Sequence, residues 1–276
     1  MTIFCPTDFT VASHAAFQHG LGLALASRGK FTLMHVPTAD EDGGSFPGIR
    51  SQLERWGRLP ANSPESAVTA LGLEAGKIVG RPGDPLDIVL HYLEHHPADL
   101  IVLNTHQREG RARWLGRAVA EPLARAAQVP TLFLPNGQGG LVNPNDGQLH
   151  LRRVLVPISL HPAPQLALNT TVSLLRSCRI VGANLTLLHV GPANDAPAVE
   201  IHAEGLGIGV HQEIRAGDPV EQILAAAGAL KADLVVMATA GHHGFLDALR
   251  GSTTERVLRK LTCPLLAVPV PKPEPA

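Results

Sequence analysis

Short apolar runs alternate with longer stretches of helical periodicity along the whole chain. In the first half the runs cover residues 2–6, 31–36, 74–79, 100–104 and 131–135, and in the second half 154–157, 185–190, 210–215, 234–238 and 265–269. Runs of this length, built mainly from Val, Leu and Ile and bounded by turn residues, predict strands, and their near-continuous apolarity is what strands covered on both faces require. Between them, residues 85–95 and 219–230 carry helical patterns. Both open alike, with Asp84-Pro85-Leu86-Asp87 and Asp218-Pro219-Val220-Glu221. Each places an aspartate as N-cap, a proline in the first turn and an acid three residues on. Strand–helix alternation predicts parallel sheets with right-handed crossovers. Five strands per half predict an α/β, doubly wound, flavodoxin-like domain in each, with strand order 3-2-1-4-5.

The halves are copies. Gly83-Asp84-Pro85 recurs as Gly217-Asp218-Pro219, and Ala98-Asp99-Leu100 as Ala232-Asp233-Leu234. Gly110, Glu121, Pro130 and Pro135 recur as Gly244, Glu255, Pro264 and Pro269. At a constant offset of 134, segments 83–135 and 217–269 share 16 identities over 53 positions without a gap. Segment 31–36 matches 185–190 at an offset of 154, so the second copy is 20 residues shorter between these blocks. A period this long is a duplicated domain rather than a solenoid repeat. The turn-forming stretch between the copies, with Gly137, Gly139, Gly140, Pro144 and Gly147, is expected to be a linker over 138–150, dividing domain 1–137 from domain 151–276. Segment 37–73, with Pro47, Pro60, Pro64 and Trp56, reads as a helix with a mobile flank, trimmed in the second copy to about 191–209.

Composition narrows the function. The chain has 23 basic and 24 acidic residues and no strong basic run, so no nucleic-acid partner is expected. Its three cysteines have no metal or redox spacing. The opening residues lack a signal-peptide layout, and no apolar run is long enough for a bilayer, so no membrane association and a cytoplasmic location are expected. Among the 14 histidines, His91 and His95 are spaced i, i+4. Without a third ligand in register they read as a solvent-facing pair, and no metal site is expected. His35 and His189 end equivalent strands and read as structural.

In doubly wound sheets, ligands sit beyond the carboxyl ends of strands where the winding reverses. Two loops per copy meet there, after the first and fourth strands. The second copy's fourth strand is followed by Gly241-His242-His243-Gly244 and then by Gly251-Ser252-Thr253-Thr254-Glu255. Glycines admit backbone N–H groups to phosphate oxygens, and Ser252 and Thr253 open a helix whose N-terminus favours anions. The same Ser252–Glu255 run is a capping box, which needs no ligand. His242 and His243 either reach a phosphate or face water. This loop resembles the nucleotide loop of the universal stress protein family, whose ATP-binding members carry G-x2-G-x9-G-[ST]; here the second spacer is six residues. The first copy has Gln107, Gly110 and Arg117 at the corresponding places, so its loop reads as degenerate. After the first strands the asymmetry reverses. Pro6-Thr7-Asp8 is similar to the family's P-x-D opening, in which the Asp contacts the adenine or ribose side of a nucleotide, whereas the second copy has Ser159 in that place. Asp8 alternatively reads as the N-cap of the first helix.

The resemblance implies a tandem member of the family with the adenine nucleotide alpha hydrolase-like variant of the fold. It implies an internal pseudo-dimer of the two domains, with the strands at 131–135 and 265–269 as their contact, a further homodimer and an unidentified protein partner. No paired carboxylates or Ser/His/Asp order suggest an enzyme, beyond trace ATP hydrolysis. Two functions stay open. One is a stress-response regulator binding ATP or a related adenine nucleotide through Ser159, the Gly241–Gly244 loop, Gly251, Ser252 and Thr253. The other is an interaction module with vestigial sites and no nucleotide.

Overall fold

The computed structural model describes residues 1–37, 44–105, 120–135, 140–240 and 253–270. The chain divides into two compact units. Unit 1 comprises Met1–Val129 and Leu134–His150, and unit 2 comprises Pro130–Phe133 and Leu151–Ala276.

Unit 1 runs β1 (Thr2–Pro6), α1 (Val11–Ser27), β2 (Lys30–His35), α2 (Ile49–Arg55), α3 (Ser66–Ala70), β3 (Glu74–Val79), α4 (Pro85–His95), β4 (Leu100–Thr105) and α5 (Ala120–Ala126), and the first copy ends with β5 (Thr131–Pro135), whose residues up to Phe133 count with unit 2. The strand order is β3-β2-β1-β4-β5, as expected, with β1 parallel to both β2 and β4. Unit 2 repeats the plan with β6 (Arg153–Ile158), α6 (Gln165–Ser177), β7 (Asn184–Val190), β8 (Gly209–Arg215), α7 (Pro219–Leu230), β9 (Leu234–Ala240), α8 (Thr253–Leu258) and β10 (Leu265–Val270). Its order, β8-β7-β6-β9-β10, is the same doubly wound arrangement, with parallel pairing throughout. Within unit 2, Thr131, Leu132 and Phe133 also lie antiparallel to Ala267, Leu266 and Leu265.

The inner strands are buried because helices cover both faces, which is why Ile3, Phe4, Leu33 and Ile101 in unit 1, and Leu155, Val156, Val235 and Val236 in unit 2, are almost inaccessible. The strands β3 and β8 end their sheets and expose most of their side chains. The residues between β2 and β3 include two short helices, α2 and α3, where a single helix was expected.

The repeated motifs have structural work to do. Asp84 accepts hydrogen bonds from the Leu86 and Asp87 amides at 2.8 and 3.3 Å, and Asp218 from the Glu221 amide at 3.1 Å, so both cap their helices as read from the sequence. The aspartates of the two Ala-Asp-Leu triplets tie the start of each first strand. Asp99 accepts from the Thr2 amide at 2.6 Å, and Asp233 from the Arg152 and Arg153 amides at 2.9 and 2.8 Å and from the Arg153 guanidinium at 2.7 Å. Partial burial alone would raise the Asp233 carboxyl, but the Arg153 side chain and the two amides outweigh it and hold the group below the usual carboxylate range. Asp233→Ala strands two backbone donors and is expected to lower the stability of unit 2 by about 1–3 kcal/mol, read as a lower urea midpoint at unchanged m-value.

Residues 140–150, within the stretch set down as a linker, pack on unit 1. Leu141 and Val142 are buried, and the Trp56 indole donates to the Pro144 carbonyl at 2.9 Å. The surface of α1 makes room for them. At Gly22 an added Cβ would lie 2.8 Å from a Val142 methyl. At Gly140 it would overlap the buried His19 ring.

Candidate functional site

In unit 2 the winding reverses between β6 and β9, since the chain leaves β6 towards β7 on one side and returns to β9 on the other. A cavity of about 430 Å³ opens beyond the carboxyl ends of these strands. Its apolar wall comes from Leu188 and Val190 of β7, Ile223 of α7 and Met237 of β9. Polar groups enter from three directions: Ser159 from the loop after β6, Thr239 from the end of β9, and Thr253 and Thr254 from the first turn of α8. An apolar slot with a few convergent polar groups is the usual composition of a small-molecule site.

Thr239 is 5% exposed, and its Oγ1 has no hydrogen-bond partner among the described residues. A buried hydroxyl left unpaired costs stability, so its retention at the wall of a cavity is a feature that a ligand acceptor or donor would relieve. Ser159 is engaged differently: its hydroxyl donates to the His161 carbonyl at 3.0 Å within its own turn. His189 is not among the residues lining the slot; its ring nitrogens lie 3.2 and 3.1 Å from the carbonyls of Ile158 and Pro192, and its ring N–H donates to one of them, tying down a loop end. His35 does the corresponding job in unit 1, with Nδ1 2.8 Å from the Thr7 carbonyl.

Of the residues read from the sequence, the fold brings Ser159 and Thr253 to one cavity. Gly241, His242, His243, Gly244, Gly251 and Ser252 lie outside the described residues, as do Gln107, Gly110 and Arg117 of the first copy. Asp8 is described, and it is not the N-cap of α1. Thr10 takes that place, its hydroxyl accepting from the Ser13 amide at 3.2 Å. Asp8 supports the cap instead, accepting from the Thr10 amide at 3.1 Å and its hydroxyl at 2.7 Å. The turn that allows this puts Phe9 in the left-handed region at φ +62°, with its ring against His35 at a centroid distance of 4.0 Å. Thr239, Leu188, Val190, Ile223 and Met237 were missed. The available signal was position alone: Thr239 directly follows the apolar run 234–238, two residues before Gly241.

Among the described residues the three cysteines are free thiols. Burial pushes the Cys178 and Cys263 thiols up to about 12 and about 11, and Cys5 higher still. No helix among them is long and apolar enough to cross a membrane.

Comparison with known proteins agrees with this architecture. The model of the universal stress protein family matches residues 1–135 and 195–269. Over 72 residues the chain is 43% identical to a universal stress protein of Methanocaldococcus jannaschii, a stretch covering 26% of this chain and 42% of that protein. Over 213 residues it is 24% identical to the universal stress protein E homolog of Haemophilus influenzae, covering 66% of this chain and 65% of the relative. In both cases the match spans less than two thirds of the relative's length. The fold is similar to that of a universal stress protein from Archaeoglobus fulgidus, with a TM-score of 0.67 at 20% identity, over 97% of this chain and 96% of that one. Because the family model covers most of both copies, the chain belongs to the universal stress protein family.

Proposed function

We propose that this chain is a cytoplasmic stress-response regulator that holds ATP or a related adenine nucleotide in unit 2. The observation that carries the reading is the cavity at the winding reversal, walled by Leu188, Val190, Ile223 and Met237 and bearing the unpartnered Thr239 hydroxyl. The apolar wall suits a planar base. Thr253, at the start of α8, stands where backbone N–H groups point outward and favour a phosphate. The glycines at 241, 244 and 251 belong to the same reading through the sequence. No catalytic residue is assigned, and the role is binding.

Thr239 separates this reading from that of a ligand-free interaction module. Thr239→Val keeps the shape and removes an unpaired buried hydroxyl, so the ligand-free melting temperature is expected to stay or rise. If the hydroxyl serves the nucleotide, ATP affinity measured by calorimetry drops about five- to tenfold. A wild-type chain with no melting shift and no binding heat at millimolar ATP would instead select the interaction module.

A further inference from the structure

The final turns of α4 carry a second constellation. His91, Glu94 and His95 are spaced i, i+3 and i+4, which places them on one stripe of the helix. All three are exposed, and one ligand atom from each lies within 4.8 Å of the other two. The two imidazole centroids are 4.7 Å apart, and Glu94 Oε2 is 3.5 Å from His91 Nδ1. The Nδ1 of His95 lies 2.9 Å from the His91 carbonyl oxygen, so that nitrogen carries the ring proton and Nε2 keeps its lone pair, the arrangement by which backbone carbonyls orient metal-binding histidines. The stripe ends at the helix C-terminus, where unpaired carbonyls favour a cation. Both histidines also border a cavity of about 280 Å³ lined by Met34, Ile78 and Ile88. The fold does not demand these residues. At the equivalent positions the duplicated helix α7 has Ala225, Gly228 and Ala229.

We propose that His91, Glu94 and His95 form a binding site for a borderline divalent transition-metal ion. Two imidazoles and one carboxylate are the donor set of Zn²⁺ and its neighbours rather than of Mg²⁺ or Ca²⁺, and three protein ligands leave a coordination position open to water. The carboxylate completes the third ligand that the i, i+4 histidine pair lacked when the sequence was read alone.

The test titrates Zn²⁺ into the metal-free full-length chain at pH 7.5 by calorimetry. The wild type is expected to bind one equivalent more than His91→Ala/His95→Ala, and Glu94→Gln to bind that equivalent about tenfold more weakly. His202→Ala removes another exposed histidine, whose Nε2 lies 3.3 Å from Glu200, and is expected to bind as the wild type does. Since all the altered side chains are on the surface, metal-free melting curves should coincide. Equal stoichiometry and affinity in wild type and double variant, or no zinc binding by the wild type, overturns the site. A Glu94→Gln variant that binds like the wild type overturns the three-ligand assignment.

Discussion

Val190→Phe is expected to weaken ATP binding by about a hundredfold or more, on the order of 3 kcal/mol. Val190 is half-buried at the end of β7 and lines the cavity of unit 2 together with Leu188, on the same face of the strand. A phenyl ring there occupies the slot that the base would fill. Sites of this kind bury most of their ligand's surface, so a ligand cannot simply shift aside without losing its contacts. The unliganded fold gives the ring somewhere to go, because the cavity already has the room and its wall is apolar. Melting temperature is therefore expected to hold within a few degrees, while binding heat disappears. Undiminished ATP affinity in a folded Val190→Phe chain would place the nucleotide elsewhere or remove it altogether.

Unit 1 should lose stability as pH falls from 6.5 to 4, with His19 contributing about 3 kcal/mol. His19 lies on the buried face of α1. Its Nδ1 is 2.8 Å from the Ala15 carbonyl, and its Nε2 is buried without a partner, with the backbone of Gly140 against it. Burial pushes the imidazole from 6.5 down to about 4, opposed only weakly by the bond to Ala15. Above pH 6.5 the ring is neutral in both folded and unfolded chains, and there is no penalty. Between 6.5 and 4 the unfolded chain takes up a proton that the folded one refuses, so the balance tilts towards unfolding. Below 4 both are protonated and the full cost applies. His14 adds to the trend with the same sign, lowered by burial and then by the nearby Arg55 charge. His19→Leu removes the main term. Carboxylates titrate in the same range, so the quantity to measure is the stability difference between variant and wild type by urea unfolding, followed through the fluorescence of the buried Trp56. That difference should grow in favour of the variant by about 3 kcal/mol between pH 7.5 and pH 4. A difference independent of pH would show that the ring is protonated in the folded chain as readily as in the unfolded one.

Much of this protein was determined by its sequence read alone. Parallel strands buried on both faces must be apolar along their length, so the runs around Phe31, Leu100, Leu185 and Leu234 declare themselves without any tertiary information. Helix starts are equally local, because a cap is a bond between an aspartate and amides two or three residues on, as at Asp84 and Asp218. The duplication itself needs only a constant offset. What the tertiary structure decided is which of these residues meet. Leu188, Val190, Ile223 and Met237 have the same character in the sequence as any core residue, and only the winding of the sheet leaves a void between them instead of another side chain. Residues 140–150 are polar enough to read as a tether, yet Leu141 and Val142 are buried against a helix whose glycine makes space for them. Asp8 has the composition of a cap, but Thr10 stands at the right turn of the backbone to be one. Periodicity and capping act over a few residues and are written in local order, whereas cavities and docking surfaces depend on groups far apart in the chain, whose meeting is set by the packing of the whole unit.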